Sequence, residues 1–275
     1  MGRFQTGLAT MTWRIAAVLV IAFLSACAAL PDARIEQIGD RPLEFVAHGG
    51  AGPVVVFENG LGASMEWWRK VLPALSAEAS YFAYNRPGYG KSAAADTPRD
   101  GAHVVEELRA ALRNQKLSPP YVLVGHSLGG LYMQLFARQY PQEVAALILV
   151  DSTHPRQLEG AAAIENQPFW VRSAVAVLIT GTAKQELDLL PQTGEQVLRL
   201  PTFTGKPVFV LSATEPMKET SPAARLVNEK RVDIARMYPG SRQVWVEGGH
   251  AIPLEQPAAV VTAIRSALAA AREAK

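Results

Sequence analysis

Gly125-His126-Ser127-Leu128-Gly129 sets one serine between two glycines, directly after the strand-forming run Tyr121-Val122-Leu123-Val124 and directly before a helical stretch. The spacing has a steric reason. A strand that turns at once into a helix brings the flanking backbones together, and a Cβ on either glycine would collide. The serine at the tip sits on a strained corner with its hydroxyl projecting outward, at a helix start whose dipole favours nearby negative charge. That is where a nucleophile belongs. The competing reading of Ser127 is a helix-capping hydroxyl in a glycine-rich turn.

A serine hydroxyl attacks only when a base takes its proton, and the base needs a carboxylate to hold its tautomer. The chain has five histidines. His250 ends Glu247-Gly248-Gly249-His250, just after a strand-like run closing at Val246 and before the last helical segment. His126 adjoins the serine, cannot readily reach back to it, and reads as pocket lining or packing. His48 and His103 read as surface or turn residues, and His154 follows a strand end, where a side chain can face a cleft. Two carboxylates stand at suitable strand ends: Asp151 after 145–150, and Glu215 in the loop after 207–211. Their bland alternatives are an aspartate bonding loop amides and a glutamate facing solvent.

The elements that must position these residues alternate. Strand patterns cover 42–47, 54–57, 81–84, 121–124, 145–150, 207–211 and 243–246, and helical spacing covers 65–77, 104–112, 128–140, 223–237 and 257–271. Alternation of this kind predicts an α/β fold with a mostly parallel sheet flanked by helices, its site at the carboxyl ends of the strands. Residues 152–204 break the rhythm and are longer than one connection needs. Residues 28–41 read as a tether entering a domain that runs from 42 to 275.

The runs "VVFENGLG", "NRPGYGKS" and "VGHSLGG" together resemble the α/β-hydrolase superfamily, from about residue 42 to 270, and most closely its small serine esterase-like members. The resemblance implies an α/β-hydrolase fold with a small cap insertion at about 152–204, Ser127 as nucleophile, and His250 as base. It leaves the acid divided. The commoner family position favours Glu215, but Ser212-Ala213-Thr214-Glu215-Pro216 lacks the usual Gly and Asp. Some branches, haloalkane dehalogenases among them, take the acid from the earlier strand end, which slightly favours Asp151. The oxyanion donors it implies are the amides of Leu128 and of Leu61, the latter in Glu58-Asn59-Gly60-Leu61-Gly62 where relatives carry a His-Gly turn. Asn85 replaces an aspartate frequent before Arg-Pro-Gly, a change expected to alter a structural contact rather than the chemistry.

The expected activity is hydrolysis of carboxylic esters or related acyl compounds through an acyl-enzyme, with no cofactor and no metal. A peptidase, thioesterase, lactonase or cofactor-free haloperoxidase would use the same three residues. Ser127 in place of Asp argues against dehalogenase and epoxide-hydrolase chemistry. The rival of another class is a non-catalytic, membrane-tethered protein that holds a small apolar ligand. Trp67, Trp68, Phe169-Trp170-Val171 and the run 175–179 suggest a hydrophobic acyl or alcohol pocket, or equally the packing of a cap on its core.

The N-terminus carries a different signal. Arg3 and Arg14 precede the ten apolar residues 15–24 and then Ser25-Ala26-Cys27, the layout of a secretory signal peptide over 1–26. Leu24-Ser25-Ala26-Cys27 resembles the lipobox of bacterial lipoproteins, which implies cleavage before Cys27, lipid on that residue, and a place in the bacterial cell envelope; an ordinary secretory signal is the alternative. Cys27 is the sole cysteine, so the exported domain can form no internal disulfide. Loss of 1–26 removes two arginines and no acid, leaving 25 basic and 25 acidic residues. A balanced charge without basic blocks gives no electrostatic case for nucleic acid, so the expected partners are an apolar acyl substrate and, through Cys27, a membrane.

Overall fold

The computed structural model describes residues 30–50, 52–215 and 221–273. The signal segment, Cys27 and the first tether residues lie outside them. Eight strands form one sheet: β1 (Arg34–Ile38), β2 (Arg41–His48), β3 (Val54–Glu58), β4 (Tyr81–Tyr84), β5 (Tyr121–His126), β6 (Val144–Val150), β7 (Val208–Ala213) and β8 (Arg242–Val246). Their spatial order is β1-β2-β4-β3-β5-β6-β7-β8. β1 and β2 form an antiparallel edge, and β4 through β8 run parallel.

Side chains of the central strands alternate between two cores, as a pleated strand dictates. Val54 and Val56 of β3 and Leu123 of β5 face one core; Val55, Phe57, Val122 and Val124 face the other. Burial on both faces is what the unbroken apolar runs require. One layer contains α1 (Gly101–Asn114) and α2 (Leu128–Gln139); the other contains α8 (Pro257–Glu273). Between β6 and β7 lie the 3-10 turns Gly160–Ala162 and Ile164–Asn166, then α3 (Phe169–Leu178), α4 (Gly181–Asp188) and α5 (Leu190–Leu198). The helix α6 (Pro222–Arg236) joins β7 to β8, and the single turn α7 (Ile252–Glu255) precedes α8.

Two local expectations are corrected. Arg34–Ile38 is an edge strand paired in register with β2, Arg34 opposite Phe45, and not part of a loose tether. Its five residues are largely exposed, so no apolar alternation marked it. The stretch 65–77 is not one helix but two 3-10 turns, Met65–Trp68 and Leu72–Ala74. Pro73 has no amide to donate into a continuing helix, and the Met65 amide is taken by the Asn85 side chain at 2.7 Å.

Candidate active site

The β5–α2 junction is tight for reasons visible atom by atom. A Cβ on Gly125 would lie 2.5 Å from the Gly129 carbonyl oxygen, and one on Gly129 would lie 2.4 Å from that of Glu58. Only hydrogen fits at either place. Ser127 between them has φ 53° and ψ −123°, a conformation L-residues rarely adopt. Its amide donates to Val150 O (3.1 Å), and its carbonyl accepts from the amides of Gly130 and Thr153, each at 2.9 Å. Three bonds hold the backbone of the corner. The side chain makes no capping bond to α2, so the hydroxyl is not spent on helix ends.

Asp151 leaves the next strand along. Its amide donates to Leu211 O at 2.7 Å, and its φ of 43° turns the side chain out of the β6 direction. The carboxylate is fully buried. One oxygen, Oδ2, meets Nδ1 of His250 in a short hydrogen bond. The other accepts the Ala213 amide at 3.2 Å and lies 3.1 Å from Nη1 of Arg231, without the alignment of a hydrogen bond. Burial works against the charge on Asp151, but the His250 contact, the Arg231 charge and the Ala213 amide outweigh it and hold its pKa below the ordinary carboxylate value. An ionised Asp151 can only accept, so Nδ1 of His250 carries the proton and Nε2 is left free to accept one. The imidazole is about one-third exposed and so reachable from outside.

The carboxylate on Nδ1 of His250 is that of Asp151, not Glu215. The Glu215 side chain is exposed, and its amide donates to Gly248 O at 3.0 Å, which braces the loop carrying His250. His126 packs against the pair: its ring lies 4.8 Å from that of His250 and stacks on Trp67 at 5.0 Å. Its Nε2 donates to the His250 carbonyl at 2.9 Å. Burial, then the neighbouring His250, lowers the His126 pKa to about 3, so the ring is neutral and its Nδ1, without a partner among the described residues, is bare. His154 is buried with both nitrogens engaged, Nε2 on Asp233 at 3.0 Å and Nδ1 accepting the Arg156 amide at 2.9 Å. It serves the loop rather than the cleft.

The turn after β3 closes over the serine. A Cβ on Gly60 would lie 3.2 Å from that of Ser127. Nearby, Arg86 donates to the carbonyls of Asn59 (2.6 Å) and Gly60 (2.9 Å), and the Gly62 amide donates to Tyr89 at 3.3 Å. The amides of Leu61 and Leu128 donate to no other protein group among the described residues. Arg86, fully buried between Glu58 and Glu186, is a residue that sequence reasoning missed. Burial opposes its charge, but the two carboxylates outweigh that and raise its pKa. Asn85 is structural: it donates to Glu44 at 2.8 Å and accepts from Met65.

Trp67 and Trp68 are both buried. Trp68 is wholly buried and donates to the Asn59 side chain at 2.7 Å. The apolar stripe of 169–179 divides: Val175 and Ile179 are in the core, while Phe169, Trp170, Val177 and Leu178 are exposed. A groove of about 630 Å³ within 152–204 is lined by apolar residues such as Leu158, Phe169 and Leu187 and by the charged Glu165, Arg172, Lys184 and Asp188, and includes none of Ser127, Asp151 and His250. Among the described residues no three His, Cys, Asp or Glu side chains gather as a metal site, and no helix is long and apolar enough to cross a membrane.

A parallel sheet with a glycine-flanked serine at the β5–α2 corner and a histidine arriving after the last strand defines a class. Residues 53–236 match the alpha/beta hydrolase fold family, and the chain belongs to that family. An uncharacterized Bacillus subtilis protein, YqjL, is 33% identical over 103 residues, covering 38% of this chain and 41% of that protein. The mouse (lyso)-N-acylphosphatidylethanolamine lipase is 30% identical over 128 residues, covering 45% of this chain and 37% of that enzyme. The matched stretches thus span less than half of either relative. The enol-lactonase from Burkholderia xenovorans has the same fold, with a TM-score of 0.59 at 17% identity over 86% of this chain and 100% of that one.

Proposed function

We propose that the protein is a serine hydrolase acting on carboxylic esters or related acyl compounds through an acyl-enzyme. The observation that carries this reading is the His250–Asp151 contact beside a strained serine whose side chain does not cap its helix. The imidazole Nε2 takes the Ser127 proton as Oγ bonds to the acyl carbon. The carbonyl electron pair moves onto oxygen, where the amides of Leu61 and Leu128 would receive it. Collapse of the intermediate breaks the bond to the alcohol, which leaves with the proton from His250. Water then repeats the sequence on the acyl-serine and releases the acid.

An apolar acyl group is the substrate class that best suits the chain. The 152–204 segment exposes Phe169, Trp170, Val177 and Leu178, and one relative is named as a (lyso)-N-acylphosphatidylethanolamine lipase. The N-terminal signal adds a location: a lipid on Cys27 would hold the enzyme at a membrane of the bacterial envelope, and Cys27→Ser should release it into the soluble fraction. The test of the activity is a fluorophosphonate probe, which should label the wild-type chain and spare Ser127→Ala. Labelling that persists in the variant ends the proposal.

A further inference from the structure

We infer that Arg231 is a positioning residue for this acid–base pair: from α6 it holds the second oxygen of Asp151 and so keeps the first turned to His250. The inference rests on the reading of Ser127, His250 and Asp151 as one catalytic unit. Asp151 has no exposed side-chain surface and Arg231 only 11%. A carboxylate so enclosed needs compensation, and the single backbone amide on Oδ1, from Ala213 at 3.2 Å, is a modest source of it. Arg231 at 3.1 Å supplies a full positive charge to that same oxygen. Oδ2 is thereby left to His250 alone.

This has a consequence that a merely space-filling arginine would lack. Without that charge Oδ1 would keep one modest donor and the carboxylate would be freer to turn away from His250, so the loss should fall on turnover and be recovered by another cation at that place. Among the described residues, Asp151 faces His250 from just past the end of β6, neutral His126 from β5 and Arg231 from α6 by way of Asp151, while Glu215 is joined to the same loop through its amide on Gly248 O. Glu255 of α7 takes the amide of Gly249 at 3.0 Å, Glu247 stands in the same loop, and Lys70 caps Leu254 O on the far side of α7 at 2.7 Å. The opposing sign next to Asp151 comes from Arg231.

The experiment measures kcat and KM for a p-nitrophenyl ester and the rate of Ser127 labelling by a fluorophosphonate in the full chain, for wild type, Arg231→Met and Arg231→Lys. Arg231→Met should lower kcat and the labelling rate by about ten-fold with KM within about two-fold of wild type, while Arg231→Lys should stay within about three-fold of wild type, as a retained charge would. Unchanged kcat and labelling in Arg231→Met overturn the inference, and so does an Arg231→Lys chain that loses as much as Arg231→Met. Should Arg231→Met fail to fold, Arg231→Gln, uncharged but still a donor, is held to the same expectation. Wild-type chain that is not labelled at Ser127 defeats the underlying hydrolase reading instead, a result distinct from a variant labelled as fast as wild type.

Discussion

Glu186 of α4 grips Arg86 with both carboxylate oxygens, at 2.7 Å to Nε and 2.8 Å to Nη2, while the same guanidinium donates to the Gly60 carbonyl at 2.9 Å. A helix of the 152–204 segment is therefore tied through one buried cation to the turn that closes over Ser127. Glu58 receives the opposite side of the guanidinium at 2.7 Å and the Tyr84 hydroxyl. Burial raises the Glu58 pKa, and Arg86 opposes that rise. The network is satisfied only as a whole.

Removal of Arg86 strands two buried carboxylates. Arg86→Met should destabilise the protein by about 3 to 5 kcal/mol, the cost of breaking a buried ion pair from one side. Glu186→Gln keeps hydrogen-bonding capacity and should cost less. Urea unfolding measures both, and a loss below about 1 kcal/mol for Arg86→Met would mean that the network does not hold the turn in place.

The strain at Ser127 should appear as stability that the corner forgoes. A non-glycine residue at φ 53° and ψ −123° costs about 1 to 3 kcal/mol, against about 0.5 to 1 kcal/mol of extra chain entropy for glycine. Both Ser127→Ala and Ser127→Gly should be inactive, yet Ser127→Gly should be the more stable by about 1 kcal/mol. Thermal unfolding of the two side by side decides it. Equal or reversed midpoints would show that the corner is not strained.

What the sequence made legible here tracks how local the cause was. The Ser127 corner could be read because two glycines and a strand-to-helix change lie within ten residues, and the parallel sheet because its strands are apolar on both faces. The choice between Asp151 and Glu215 could only be leaned toward, since it depends on which loop end meets a side chain 99 residues away. Arg231 and Arg86 were silent for the same reason, that their partners stand on other elements; Arg231 besides lies on an amphipathic helix, where an arginine normally signals a solvated face. Edge strand β1 escaped notice because backbone pairing, not side-chain burial, holds it.

Burial of His126 sets an acid limit on stability. Its pKa falls from 6.5 free to about 3 in the folded chain, so between those values the unfolded state binds the extra proton. Stability is then complete above about pH 6.5 and declines as pH falls toward 3. A depression of this size corresponds to about 5 kcal/mol at most. His154, lowered to about 4 by burial, adds to the same slope. In His126→Gln, which retains a donor for the His250 carbonyl, unfolding free energy should depend less steeply on pH between 6 and 4. An unchanged slope would remove His126 as the cause.

Asp151 and Glu215 can be separated by what each does to the imidazole. In Asp151→Asn the side chain nearly keeps its shape but can offer an N–H to Nδ1, which would favour the tautomer with its proton on Nε2, the wrong nitrogen for a base. It also leaves Arg231 beside a neutral amide. Turnover of a p-nitrophenyl ester should fall by about 10⁴-fold with little change in KM, because the substrate does not touch Asp151. Glu215→Gln alters an exposed side chain while its amide continues to brace Gly248, and should leave turnover within about two-fold of wild type. If Glu215→Gln instead loses orders of magnitude while Asp151→Asn stays active, the carboxylate that His250 meets in this structure is not the one that works with it, and the roles drawn from that contact fall together.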